Sequence, residues 1–370
     1  MSLAKFSFPT TVIFGAGALD SLPGELERRR MRNPLIVTDK GLVSTPLVER
    51  LKKLIAPAPC FSDVDPNPSE KNVLAGVAFY RGEQCDSIVA FGGGSAIDAA
   101  KAIRLKATHT LPLAEYDDRL GGDAKITSDL PPNIAIPTTA GTGSEVGRST
   151  VITLEETNRK TVIFSPYLMP DLAIADPELT RTMPPEITAG SGMDAFTHNI
   201  EAYLARGFQP VCDAIALGGA KIVYRNLPCA MHEPNHLEAR GQMMIAAMMG
   251  AIAFQKGLGA VHSLAHPLSS EFGMHHGTSN AVLLPVVLEF NRSAVPDRFR
   301  DLEHQLGKDI VACTRELNGI CGISPRLRDY NIPQSALPAL AHKALEDACH
   351  LLNPRPCTHE DLLALYREAW

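Results

Sequence analysis

Apolar and polar positions along the chain follow two regimes. Up to about residue 182, short apolar runs alternate with amphipathic stretches: Thr11–Phe14, Pro34–Thr38, Ser87–Phe91 and Asn133–Ile136 read as strands, with helical segments between them. Runs that are apolar throughout, rather than at every second position, predict a parallel sheet covered by helices on both faces. Gly15-Ala16-Gly17 turns the first strand into an amphipathic helix through Glu27. At Asp176–Pro185 the prolines stop helices and predict an extended linker. Beyond it the pattern turns helical, with helices expected over Thr188–Leu204, Val211–Met231, Leu237–Gln255 and Asn280–Arg292, and more to Trp370. The expectation is an α/β domain over 1–182 and an all-helical domain over 183–370.

Composition narrows the class. A chain of 370 residues with 45% hydrophobic and 21% charged residues suits two globular domains, and a net charge of -6 gives no basic footprint for nucleic acid or an anionic membrane. The longest apolar run, Met243–Phe254, is too short to span a bilayer. Its methionines 243, 244, 248 and 249 read as adaptable core packing. No sustained apolar segment follows Lys5, so no signal peptide is expected and a cytoplasmic location is. Eight cysteines without a C-x-x-C pair then read as reduced thiols, which argues against a thiolate-held zinc.

The chemistry concentrates between Gly190 and His276. Asp194 and His198 are four apart on a predicted helix and share one face; His262 and His266 repeat that spacing, and His275-His276 reads as a loop before the next helix. A carboxylate with several imidazoles and no thiol suits Fe(II), Zn(II) or a neighbouring first-row ion better than Mg or Ca. Burying these groups without a cation would cost several kcal/mol.

Two polar loops in the first half suit a dinucleotide. Gly92-Gly93-Gly94-Ser95 runs from a strand into a helix carrying Asp98, so backbone N–H groups at the helix N-terminus can face a pyrophosphate. Asp39, at the carboxyl end of Pro34–Thr38, either holds the ribose diols of NAD, repelling the 2′-phosphate of NADP, or caps the next helix. The loop Pro137–Glu145 offers small hydroxyls for a ribose or phosphate, or simply a helix cap at Thr142 or Ser144.

The runs Gly-Met-Asp-Ala-Phe-Thr-His (192–198), His-Ser-Leu-Ala-His-Pro-Leu (262–268) and His-His-Gly-Thr-Ser-Asn-Ala (275–281), with Gly-Gly-Gly-Ser-x-x-Asp (92–98) and Pro-Thr-Thr-x-Gly-Thr-Gly-Ser-Glu (137–145), resemble the iron-containing (group III) alcohol dehydrogenase family. The resemblance implies a dehydroquinate synthase-like fold, with an NAD-binding domain followed by a helical metal-binding one. It implies cofactor contacts at Asp39, Gly92, Gly93, Gly94, Ser95, Asp98, Thr138, Thr139, Thr142 and Ser144. Lys160, on the strand after the second loop, is either a further contact or a solvent-facing lysine. Asp194, His198, His262 and His276 are the expected ligands of one divalent ion, Fe(II) first and Zn(II) second, lying between the domains. A rival set exchanges His262 for His266; otherwise His266 is the expected proton relay, an imidazole's ordinary titration range suiting that role. His275 has no assigned role.

The activity expected is reversible hydride transfer between NAD(H) and a primary alcohol or diol. Alternatives are a maleylacetate reductase, a hydroxyacid dehydrogenase of the 4-hydroxybutyrate type, or a dehydroquinate synthase-like lyase, which would want a basic cluster absent beside these motifs. Ser149, Val151, Phe254 and Leu258 are expected to shape the substrate site. The family also implies a homodimer or larger homo-oligomer, with the first strand as a pairing edge.

Overall fold

The computed structural model describes residues 7–8, 10–157 and 159–370, which fall into two compact units. The first, Pro9–Thr139 with Gly143–Arg181, carries strands β1 (Val12–Phe14), β2 (Pro34–Val37), β3 (Cys60–Phe61), β4 (Ser87–Gly92), β5 (Asn133–Pro137), β6 (Ser149–Leu154), β7 (Arg159–Phe164) and β8 (Leu172–Ala175). Its helices are α1 (Leu22–Arg28), α2 (Pro46–Ile55), α3 (Glu70–Gly82) and α4 (Gly94–Thr108). Six strands form a wholly parallel sheet in the order β1-β8-β5-β4-β2-β3.

Alternation along β2 and β4 explains why both read as uninterrupted apolar runs. Leu35, Val37, Ile88 and Ala90 enter one buried cluster, while Ile36, Val89 and Phe91 enter another, so each strand faces a core on both sides. The strands β6 and β7 lie outside this sheet as an antiparallel hairpin, with Ser149 opposite Phe164 and Thr153 opposite Lys160.

The second unit contains α5 (Pro185–Leu204), α6 (Pro210–His232), α7 (Leu237–Ala253), α8 (Ala260–Phe272), α9 (His276–Arg292), α10 (Pro296–Leu306), α11 (Ile310–Ile320), α12 (Leu337–Glu346) and α13 (His359–Ala369), and the short segment Ala140–Thr142 belongs with it. Helix α5 is its axis. Every residue from Thr188 to Leu204 is buried, against α6, α7 and α9. Polar groups on this helix therefore need internal partners, and Asn199 shows how: its Nδ2 donates to the carbonyls of Ala195 at 2.8 Å and Ala246 at 3.0 Å. Met243, Met244 and Met248 are buried in the core. Among the described residues no single helix is long and apolar enough to cross a membrane.

Three local expectations need correction. The segment after β8 is not an extended linker: Pro177–Thr180 is a 3-10 turn, and Asp176 pins it by accepting from the N–H groups of Glu178, Gly17 and Leu19 at 3.0, 3.2 and 3.1 Å. The first helix begins as a separate 3-10 turn, Ala18–Ser21, before α1. His276 is not in a loop but opens α9, because His275 caps that helix, its Nδ1 accepting from the Thr278 N–H at 3.4 Å.

Candidate active site

Helices α5 and α9 meet with almost nothing between them. A Cβ on Gly277 would lie 1.9 Å from the Gly190 carbonyl oxygen, so only glycine permits the contact. With Asp194 one turn past Gly190 on α5 and His276 next to Gly277 at the start of α9, this approach sets the Asp194 carboxylate facing His276, with Nε2 of His276 3.5 Å from Asp194 Oδ1. Helix α8 adds His262, whose Nε2 is 4.0 Å from the same oxygen, and the next turn of α5 adds His198, whose Nε2 is 3.7 Å away. The rings of His198 and His262 stack at 4.8 Å. The structure thus brings together the four residues expected as ligands, from three helices, in a place where Asp194, His198 and His262 are buried.

These separations can be compared with what an ion requires. Ligand atoms about 2.1 Å from a tetrahedral ion stand about 3.4 Å apart, close to the 3.5, 3.7 and 4.0 Å found here. Each donor is also the right kind, an acceptor oxygen facing imidazole nitrogens. The Nδ2 of Asn280 lies among them, 2.9 Å from Asp194 Oδ1, 3.3 Å from His276 Nε2 and 3.5 Å from His262 Nε2, so a donor group already sits where these acceptors converge.

A carboxylate behind His262 fixes its ring. Glu201, buried on α5 one turn past His198, has Oε2 2.6 Å from His262 Nδ1, while its Oε1 accepts from the Val261 N–H at 2.7 Å. This leaves Nε2 for the cluster. Burial alone would pull the His262 imidazole down, but the Glu201 hydrogen bond and charge outweigh it and the ring is raised above its ordinary range. His198 moves the other way: burial lowers it and holds the ring neutral, despite Asp194 nearby. Phe254 covers the His198 ring at 5.1 Å.

His266 follows His262 by one turn and stacks on His276 at 5.3 Å. Its Nδ1 is 2.8 Å from Asp347 Oδ2, and Asp347 also accepts from Ser263 Oγ at 2.7 Å and the Cys349 N–H at 2.8 Å. Burial works against the charged carboxylate, but His266 and these donors hold it well below the usual range. Among the described residues, it is the Nε2 of His262, rather than His266, that closes on Asp194 together with His276.

Most of the expected nucleotide residues lie at or just beyond the carboxyl ends of three adjacent strands, β2, β4 and β5, the place where open parallel sheets bind ligands. Lys160 does not, since the strand after the second loop is β6 and Lys160 stands on its hairpin partner β7. After β2, Asp39 Oδ1 accepts from the N–H groups of Gly41 and Leu42 at 2.9 and 3.0 Å, so one oxygen does cap its own loop. The other faces β4: a Cβ on Gly92 would be 3.2 Å from Asp39 Oδ2 and 2.7 Å from Ala96. Gly93 then begins α4 with no side chain capping the helix. Ser95 Oγ donates to the Pro66 carbonyl at 2.5 Å. After β5, the Thr138 N–H donates to the Gly92 carbonyl at 2.9 Å, and Thr139 packs where a Gly93 side chain would stand.

Ser144 and Asp98 are bonded to each other. Ser144 Oγ donates to Asp98 Oδ1 at 2.6 Å, and Asp98 Oδ2 accepts from the Val151 N–H at 3.1 Å. Burial raises the Asp98 carboxyl, opposed by Lys101, these hydrogen bonds and the nearby Lys160. Glu201, Asn280 and Asp347 were not singled out from the sequence. Glu201 follows His198 by three and Asn280 follows His276 by four, so helical spacing could have found both, whereas nothing local marks Asp347.

Residues 9–177 match the family described as iron-containing alcohol dehydrogenase, and residues 188–370 match the C-terminal part of the Fe-containing alcohol dehydrogenase family. The chain is 40% identical over 374 residues to a 4-hydroxybutyrate dehydrogenase of Cupriavidus necator, covering 97% of this chain and 98% of that one. A crystal structure of 1,3-propanediol oxidoreductase superimposes with a TM-score of 0.95 at 36% identity over the whole of both chains. Sulfoacetaldehyde reductase from Bifidobacterium kashiwanohense, solved in complex with NAD+, gives 0.91 at 31% identity, over 100% of this chain and 99% of that one.

The α5–α9 contact makes Gly277→Ala a sharp test. A methyl group 1.9 Å from a backbone oxygen must push the helices apart, and the expected loss is about 3 kcal/mol of stability, read as a lower denaturation midpoint in a chain that still shows helical circular dichroism.

Proposed function

Since the chain belongs to the iron-containing alcohol dehydrogenase family and is an oxidoreductase acting on CH–OH groups, we propose that it moves hydride reversibly between NAD(H) and a short primary alcohol or diol. The observation carrying this reading is that ligand atoms of Asp194, His262 and His276 all lie within 4.8 Å of one another, with His198 Nε2 3.7 Å from the same Asp194 oxygen. Asp194, His198, His262 and His276 would hold one divalent ion, Fe(II) first and Zn(II) second. A bound ion of this kind supplies Lewis acidity, lowering the pKa of an alcohol or polarising an aldehyde. The nicotinamide supplies the hydride acceptor.

The protein's own residues do the rest. Glu201 holds His262 with Nε2 turned inward, and Asn280 donates to Asp194 Oδ1. Asp347 keeps the proton of His266 on Nδ1, which leaves Nε2 to take the alcohol proton and pass it to water. Phe254 keeps water from the His198 ring. Asp39 receives the ribose diols with the oxygen facing Gly92 and would repel a 2′-phosphate, so NAD is the cofactor rather than NADP. Gly92, Gly93, Gly94 and Ser95 form the pyrophosphate loop at the start of α4. Thr138, Thr139, Thr142, Ser144, Asp98 and Lys160 complete the cofactor contacts.

The similarity to a 4-hydroxybutyrate dehydrogenase favours a second substrate class, a short hydroxyacid ending in CH2OH. The two classes share a primary alcohol with a polar group a few carbons away.

Protein purified without chelator is expected to hold about one iron or zinc per four-ligand site and to reduce NAD+ with 1,3-propanediol or 4-hydroxybutyrate, losing that activity on stripping and regaining it with Fe(II) or Zn(II). Metal-free protein that reduces maleylacetate with NADH would overturn the reading. Comparing kcat/KM for the diol and the hydroxyacid decides the substrate class.

Asp39→Gly is expected to move the NADH to NADPH preference toward NADPH by at least about tenfold, or 1.4 kcal/mol; unchanged preference would remove Asp39 from the ribose.

Metal affinity should fall as pH drops. The raised His262 ring takes a proton in competition with the ion, so loss begins nearer neutrality than for a histidine at its ordinary value of about 6.5. Glu201→Gln is expected to weaken metal binding by about 10- to 100-fold at pH 8 and to shift the onset of proton competition to lower pH. Both are read by metal titration in solution.

A further inference from the structure

Lys101 stands two turns into α4 with its side chain wholly buried. Its ammonium group, with three N–H bonds, faces four acceptors: the Ser144 carbonyl at 2.7 Å, Ser144 Oγ at 2.9 Å, the Gly147 carbonyl at 2.9 Å and the Ser149 carbonyl at 2.9 Å. All four lie in the six residues that lead from the Thr138–Ser144 loop into β6. One turn earlier on the same helix, Asp98 grips the same segment with the opposite charge, through Ser144 Oγ and the Val151 N–H. Helix α4 therefore starts with the glycine loop and holds the second polar loop with one cation and one anion from its second and third turns.

Stability alone does not call for this arrangement. Burying an ammonium is costly, and an apolar side chain of the same volume is often as good or better for folding. Asp98 and Glu145 favour the charged form and Arg104 opposes it, but burial dominates and draws Lys101 down to about 8. Glu145, also buried, is pushed up to about 7. What a cation provides here and a methionine cannot is direction: three donors that fix carbonyls of a segment lacking a continuous helix or strand of its own. We propose that Lys101 is a positioning residue that locks the Ser144–Ser149 segment to α4 and so holds the two nucleotide loops in register, without touching the cofactor. The inference rests on the proposal that these loops bind NAD.

The test compares wild-type protein with Lys101→Met and Lys101→Gln, the second retaining two N–H donors on a shorter side chain. Folding is checked by circular dichroism and metal content. NADH affinity is measured by fluorescence, and amide hydrogen exchange is followed across residues 142–151. In folded Lys101→Met the NADH Kd should rise at least about tenfold, the KM for NAD+ should follow it, the KM for the alcohol should stay put, and the 142–151 amides should exchange faster. Lys101→Gln should recover part of the loss. A folded Lys101→Met that binds NADH as the wild type does would sink the proposal. So would failure of both variants to fold, since Lys101 would then serve the fold and not the loop. Wild-type protein that binds no NADH would instead overturn the NAD reading, and the role of Lys101 with it.

Discussion

The site depends on two helix backbones being allowed to touch. At Gly190 and Gly277 there is no room for a β-carbon, and this contact determines how far apart Asp194 and His276 stand. Were α5 and α9 held at the 8–10 Å typical of helices packed through side chains, a carboxylate and an imidazole from facing positions would need longer side chains to meet. The remaining parts adapt to that spacing. Helix α8 supplies His262, and Glu201, on the same helix as Asp194, turns that ring inward. A single helix thus provides a carboxylate for the centre, an imidazole for it, and a second carboxylate to aim a neighbour's ring.

In the α/β unit the corresponding constraint is strand order. Because β2 has β3 on one side and β4 on the other, the chain reverses direction across the sheet beside β2, and the loops after β2 and β4 part there. Asp39 lies in the first of these loops and Gly92 ends β4 at the mouth of the second, and β5 brings Thr138 and Thr139 alongside. Residues about fifty apart in sequence become neighbours only because parallel strands end at the same edge.

What could be read in advance follows from this. The runs in β2, β4 and β5 were legible because a strand buried on both faces has no polar alternation to hide it. Asp194 with His198, and His262 with His266, were legible because four-residue spacing is a property of the helix itself. The hairpin β6–β7 was not resolved as a separate sheet, since its half-buried pattern, with every second residue facing a core, resembles any strand. The cap of His275 on α9 and the pinning of the 3-10 turn by Asp176 were missed because both depend on backbone N–H groups that carry no mark in the sequence. Asp347 and Lys101 act across 81 and at least 43 residues of chain, and such distances are closed only by the fold.

Helix α5 has no solvent-facing stripe: all positions from Thr188 to Leu204 are inside. Ordinary helices keep one face on which sequence can drift, and this one does not. Each substitution along it alters either packing or chemistry, and near Asp194 it alters both. Substitutions are therefore easiest to accommodate away from the central helix, in exposed loops and outer helices, and a new substrate preference is easiest to reach by changing what surrounds α5 while α5 itself stays the same.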